Sequence, residues 1–139
     1  MVKKSMRATV VFLLITFSFA LLGQGASVCL AVPYSHIVQI DATLSISSDG
    51  TASCLGLIRP QSGSTKSSIA VKLKQLVGSV WITKATWTGS GNGYAGVSVK
   101  GTKKTDPGYS YKVVITGTVF DLNGNALETV SKETPVKKY

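Results

Sequence analysis

The sequence predicts an all-β domain of about seven antiparallel strands that follows an N-terminal export signal. Three observations predict it. Apolar and polar residues alternate with a period of two in several segments, turn residues separate these segments, and no helical periodicity follows residue 31. The chain has 139 residues, of which 44% are hydrophobic and 15% charged. That is the length of one domain, and the composition is too apolar for a disordered chain.

The first three strands are predicted from alternation and from the turns between them. Residues 40–47 alternate strictly between apolar and polar side chains, and Ser48-Asp49-Gly50 supplies a hairpin turn before a second strand at 51–58. A Gly/Ser loop at 60–66 follows. Residues 69–74 form the third predicted strand, in which lysines alternate with apolar residues. One face of this strand should therefore be solvated.

Four further strands are predicted in the second half of the chain. The fourth, at 80–87, is apolar on both faces and ends in a glycine-rich loop at 88–93, and a short fifth strand covers 96–101. A loop at 102–108 precedes the longest strand, 109–120, which places Tyr109, Tyr111, Val113, Ile115 and Val119 on one face. Residues 121–125 form a hairpin turn, because Asn-Gly accepts positive φ values. The last strand covers 127–132.

Seven short strands in about 100 residues suit an immunoglobulin-like or fibronectin-III-like β-sandwich. The segment at 107–111, which opens the longest strand, is similar to a tyrosine corner, in which a tyrosine hydroxyl bonds to the backbone a few residues upstream. A small barrel or a jelly roll is the alternative architecture.

The N-terminus has the organisation of a secretory signal peptide. Lys3, Lys4 and Arg7 precede an apolar run at 8–22, and small residues follow. A helix of this length spans about 22 Å, less than the ~30 Å of a bilayer core. We therefore predict a signal peptide at 1–31, a sandwich domain at 32–139 and an extracellular location. An uncleaved membrane anchor is the alternative. We expect the protein to contact a membrane only through this segment, and only if it is not cleaved.

The cleavage site decides the fate of the two cysteines. Cleavage after Ala31 removes Cys29 and leaves Cys54 alone, and we expect Cys54 to be buried as a small apolar residue. Cleavage after Ser27 would keep Cys29 and allow a Cys29–Cys54 disulfide.

The chain carries 15 basic and 6 acidic residues, a net charge of +9. Three of the basic residues lie in the signal, so the domain itself is +6.

The residue inventory argues against an enzyme and against a cofactor or metal site. His36 is the single histidine, and no G-x-S-x-G segment is present. Residues 91–96 satisfy G-x-G-x-x-G, but a strand follows where a nucleotide-binding helix is needed, so we interpret them as a hairpin loop. Asp121 and its neighbours suggest calcium, but the Asn-Gly turn explains them better.

Aromatic and basic residues are the candidate binding groups. Trp81 and Trp87 lie six residues apart on one predicted strand, which would place them on the same face, about 20 Å apart, and Tyr94 follows in the next loop. We expect one tryptophan in the core and one partly exposed; the alternative is a platform on which all three rings stack against sugars. The lysines are spread over several strands, which favours anionic polymers. Nucleic acid is not an expected partner of an exported domain with one arginine.

Several segments together resemble a group of small secreted proteins of Gram-positive bacteria whose function is unknown. The stretches that carry the resemblance most are 44–52 and 109–113. The resemblance covers most of the domain and implies export and a β-sandwich. It implies no activity and no site.

The sequence therefore predicts a secreted, non-enzymatic β-sandwich without a cofactor. We expect it to associate with anionic polymers of the cell envelope or with an extracellular protein. A carbohydrate-binding module that uses Trp81, Trp87 and Tyr94 is the alternative, and a secreted peptide or toxin is a further one.

Overall fold

The computed structural model describes residues 34–63 and 65–139. The predicted signal peptide, Cys29 and both candidate cleavage sites lie outside the described residues. Within them, no helix has the length and apolar character needed to cross a membrane.

The described residues form eight β-strands in two antiparallel sheets, as expected for a β-sandwich. The strands are β1 (Ile37–Ile46), β2 (Thr51–Pro60), β3 (Lys66–Val77), β4 (Val80–Asn92), β5 (Val97–Lys104), β6 (Ser110–Phe120), β7 (Ala126–Glu133) and β8 (Lys137–Lys138). The smaller sheet has the order β1-β2-β5, and the larger one has the order β4-β3-β6-β7, with β8 also paired to β6. The fold class predicted from the sequence is confirmed.

The position of β4 distinguishes two variants of the sandwich. In a constant-type immunoglobulin domain the fourth strand lies beside the fifth. Here β4 pairs with β3 over its whole length, from Val77↔Val80 to Lys66↔Asn92. The smaller sheet is therefore left with three strands and the larger one has four main strands, which is the fibronectin-III-like arrangement.

The core lies between the two sheets and consists of inward-facing residues of β1, β2, β3 and β6. Along β3 and β6, every second residue is buried and the intervening ones are more exposed. The core residues are Ile37, Ile40, Leu44, Ala52, Cys54, Ile58, Ile69, Val71, Leu73, Tyr111, Val113, Ile115 and Val119.

Cys54 lies in this core and is fully buried, as predicted. Burial raises the pKa of its thiol to about 11, because the thiolate would lose its hydration in the apolar interior. The thiol is therefore protonated at physiological pH and acts as a small apolar side chain.

Tyr111 forms the tyrosine corner at the start of β6. Its hydroxyl accepts a hydrogen bond from the Asp106 backbone N–H at 2.8 Å and donates one to the Asp106 carbonyl at 3.0 Å. The buried Gln75 side chain donates a third bond to the same oxygen at 3.1 Å. These bonds fix the loop before β6. Tyr109, which the sequence assigned to the same inward face, precedes the strand and is exposed.

Several element boundaries differ from the prediction. The strand β4 continues through the predicted loop at 88–93, and a short 3₁₀-helix, Gly93–Ala95, then leads to β5. Because β4 and β5 belong to different sheets, residues 91–96 cross between the sheets and do not form a hairpin loop. The two-residue strand β8 was not predicted. The turn at 121–125 is confirmed, with Gly124 at a φ of 88°.

Candidate functional site: the outer face of the larger sheet

Trp87 lies on the inner face of β4 and packs between the two sheets. It pairs with the buried Val71 of β3 and contacts the core. On the opposite sheet it covers Gly101 so closely that a Cβ atom there would lie 2.1 Å from the indole ring. Trp87 is therefore a structural residue: it is half-buried, and the part of its ring over Gly101 is covered.

Trp81 lies on the outer face of the same strand. It pairs with Leu76, which has the parity of the outward-facing residues of β3. The Lys112 ammonium lies 4.5 Å from the centroid of the Trp81 ring, close enough for a cation–π interaction. Trp81 is partly exposed and the core does not include it.

The prediction that both tryptophans face the same way is wrong, and a β-bulge is the reason. Leu73 pairs with Ala85 and Lys74 with Thr83, so Lys84 has no opposite residue. One extra residue reverses the alternation of faces along the strand. Six residues that include one bulge therefore place Trp81 outside and Trp87 inside.

Tyr94 follows the far end of β4 from Trp81. It is 71% exposed in the 3₁₀-helix after β4, and its ring covers Gly63, where a Cβ atom would lie 2.5 Å from Cε2. Asn92 is eleven positions after Trp81 on β4, a span of about 36 Å. The structure therefore does not bring Trp81, Trp87 and Tyr94 together into one platform.

The outer face of the larger sheet carries a broad array of hydroxyl and lysine side chains, which we call the lysine–hydroxyl face. Strand pairing places its members in rows across four strands. They are Lys66, Ser68, Lys72 and Lys74 of β3, Thr83, Thr86, Thr88 and Ser90 of β4, Lys112, Thr116 and Thr118 of β6, and Thr129 and Ser131 of β7. Neighbouring strands lie about 4.8 Å apart, so the rows have a regular spacing.

Hydrogen bonds between hydroxyls order one side of this face. The Thr116 and Ser131 hydroxyls are 2.9 Å apart, and those of Thr118 and Thr129 are 3.0 Å apart. Each such pair still has unused donor or acceptor capacity. The face can therefore offer hydrogen bonds to a polar ligand without rearranging.

The lysine–hydroxyl face is also strongly basic. Its four lysines face a single carboxylate among the described residues, that of Glu133, which lies 3.0 Å from Lys112 Nζ. Lys66, Lys72 and Lys74 have no acidic partner in the described part of the chain. Since Lys72 and Lys74 are two residues apart on one strand, their Cα atoms lie about 7 Å from each other.

Two acidic residues away from this face are paired with lysines. Lys132 Nζ lies 3.1 Å from Asp41, and Lys104 Nζ lies 2.9 Å from Asp49. Hydrogen bonds from Gln39 and Lys132 hold the pKa of Asp41 below its usual value, and a bond from the Ser47 hydroxyl is the largest cause of the lowered pKa of Asp49. These pairs reduce the positive potential of the smaller sheet, while the larger one keeps its excess.

The lysines are spread along the sequence, so the sequence alone did not predict this face. The signal was present in β3, where Lys66, Lys72 and Lys74 share the parity that is opposite to the buried residues. In β6, Lys112 lies between the buried residues Tyr111 and Val113 and therefore points to the opposite, outer face. Only the pairing of β3 with β6 places these positions side by side.

The remaining chemical motifs have structural roles. The Asp121 carboxylate accepts hydrogen bonds from the backbone N–H groups of Asn123 and Asn125 and from the Asn125 side chain, each at 2.9 Å. The backbone N–H of His36 donates to Glu128 at 2.7 Å. Within residues 34–63 and 65–139, no group of three His, Cys, Asp or Glu side chains is placed to hold a metal ion.

Comparison of the chain with models of known protein families and with curated proteins gives no match. The resemblance to small secreted Gram-positive proteins therefore stays a prediction, and the functional argument depends on the lysine–hydroxyl face itself.

Proposed function

We propose that the protein is an exported, non-enzymatic β-sandwich that associates with anionic polymers of the cell envelope through the lysine–hydroxyl face. The observation that carries the proposal is the excess of four lysines over one carboxylate on the outer side of one sheet. Export is supported by the charged, apolar and small-residue segments at the N-terminus.

The chemistry of the face suits a polyol phosphate or a uronic acid polymer. Lysine ammonium groups attract phosphates and carboxylates, and the potential of several together exceeds that of each alone. Serine and threonine hydroxyls hydrogen-bond to the polyol or sugar hydroxyls between the charges. A sheet face offers an extended contact for a linear polymer, whereas a small ligand needs a concave pocket.

The alternative of a carbohydrate module with three aromatic rings has less support. Trp87 is occupied by its contact with Gly101, and Tyr94 is far from Trp81 along β4. Trp81 is the remaining candidate for stacking, and the cation at one of its faces leaves the other face for a sugar.

Neutralising the lysines of the face tests the proposal. Lys66→Gln, Lys72→Gln and Lys74→Gln together should weaken binding to an immobilised polyglycerol phosphate by roughly a hundredfold at low salt, because each lysine near an anionic surface contributes about 1 kcal/mol. Binding of the unmodified domain should fall steeply as salt shortens the Debye length. Retention on the polymer across a salt series measures both effects.

A matched variant keeps the change in net charge the same. Arg59→Gln, Lys100→Gln and Lys103→Gln remove three exposed charges from the smaller sheet and should weaken binding far less. Equal losses in the two triple variants would contradict the proposal, because only net charge would then matter. Binding that persists at high salt and disappears in Trp81→Ala would favour sugar stacking instead.

A further inference from the structure

The hairpin that joins β3 to β4 has an unusually apolar tip. Val80 is 60% exposed, Val77 is 43% exposed and Ile82 is 39% exposed. Gly78 between them has a φ of 63°, and nothing lies within 4 Å of where its Cβ atom would be. The tip therefore projects into solvent, with Trp81 at its base on the lysine–hydroxyl face.

The folded domain does not need apolar residues at this end of the hairpin. The turn itself is Gly78-Ser79, built from residue types that normally form hairpin turns. Val77 and Val80 flank it, at the end of β3 and the start of β4. Val77 and Val80 pair with each other across the hairpin and are absent from the core. Adjacent exposed apolar residues of this kind are typical of an interaction surface.

Basic residues surround the tip. Lys74 and Lys84 follow within a few residues along its two strands, and Lys137 and Lys138 of β8 pair with the beginning of β6, which itself pairs with Leu76. The lysines of β8 are therefore about 10 Å from the hairpin in the plane of the sheet. A second copy of the domain docked tip to tip would bring these like charges together, whereas an anionic surface would be attracted by them.

We infer that the tip, Val77 to Ile82, inserts into the interfacial layer of an anionic lipid bilayer. Val77 and Val80, the pair nearest the turn, would lie among the first acyl carbons. Trp81 and Ile82 would lie at the level of the headgroups, where tryptophan is enriched, and the lysines against lipid phosphates. The inference goes beyond the proposed function, because it concerns apolar residues that polymer binding does not use. It needs the exported domain to reach a bilayer surface.

Vesicle binding tests the inference directly. The experiment uses the chain from Val32, the mature chain that cleavage after Ala31 would give, which excludes the apolar N-terminal segment. The domain should sediment with vesicles of phosphatidylglycerol and phosphatidylcholine, and much less with phosphatidylcholine alone. Val77→Ser with Val80→Ser should reduce partitioning into the mixed vesicles by about tenfold or more.

Two controls make the result specific to the tip. Val38→Ser with Leu122→Ser changes two residues that are 65% and 62% exposed elsewhere on the domain, and it should partition like the unmodified domain. Tryptophan emission should shift to shorter wavelength on vesicle addition, and brominated lipid should quench it. Trp81→Phe should abolish both effects, because Trp87 lies between the sheets.

Three outcomes would overturn the inference. The first is the absence of sedimentation with the anionic vesicles at low salt. The second is equal partitioning of the tip variant and the control variant, which would leave electrostatic attraction alone. The third is a dimer in solution that the tip substitutions dissociate, which would identify a second copy of the chain as the partner of the tip.

Discussion

Replacement of Trp87 by alanine should lower the free energy of unfolding by about 3 kcal/mol, whereas Trp81→Ala should cost less than about 1 kcal/mol. The two residues are of one type and lie on one strand, but Trp87 fills the space between the sheets and covers Gly101. Its removal leaves a cavity that the backbone of β5 cannot fill. Trp81→Ala removes only surface contacts and the interaction of the ring with Lys112.

Urea denaturation monitored by circular dichroism measures both changes. Each variant keeps the other tryptophan, so fluorescence of the folded state provides a second readout. The emission maximum of Trp81, measured in Trp87→Ala, should lie at longer wavelength than that of Trp87, measured in Trp81→Ala, because Trp81 is on the outer face. Equal destabilisation of the two variants would contradict the opposite placement of the rings, and with it the bulge at Lys84.

Gly96→Ala should destabilise the domain by more than about 3 kcal/mol. Gly96 connects the 3₁₀-helix to β5 with a φ of 62° and a ψ of −141°, a region open to glycine alone. A Cβ atom there would also lie 2.0 Å from the carbonyl oxygen of Ile58. The backbone of β2 would have to move to relieve this contact, and the crossing between the sheets would be lost.

Gly78→Ala is the matched control for Gly96→Ala. Gly78 has nearly the same φ, 63°, but has open space where its Cβ would be. Gly78→Ala should lower the free energy of unfolding by about 1–2 kcal/mol, the cost of placing an alanine at a positive φ. Thermal unfolding of the two variants under the same conditions measures what Gly96→Ala loses beyond a positive φ, which is the strain of its ψ and the contact with β2. Equal losses in the two variants would contradict the importance of that contact.

The strands were predictable because alternation in β3 and β6 reports directly which residues face the core. The same parity predicts that Tyr111, Val113 and Ile115 are buried together, and the apolar character of Cys54 predicts its burial. These features depend on the local pattern alone. The fold class follows from them once the turns are counted.

The candidate site was less predictable because it depends on pairing between distant segments. The bulge at Lys84 leaves no mark in composition, yet it alone separates Trp81 from Trp87. Lys72 and Lys112 are 40 positions apart in the chain and lie on one face only because β3 pairs with β6. The choice of β3 over β5 as the neighbour of β4 is equally non-local. The sequence predicts binding residues one by one, but the pairing groups them into a surface.

The measurement that tests the central claim most directly is a nuclear magnetic resonance titration of the nitrogen-15-labelled domain with soluble polyglycerol phosphate. We expect the largest amide shift changes in the outward-facing residues of β3 and β6, with Lys72, Lys74, Lys112 and Thr116 among them, and changes that diminish at high salt. Shift changes concentrated on the smaller sheet, around Leu55 and Lys100, or spread evenly over all basic residues, would contradict the assignment of binding to the lysine–hydroxyl face.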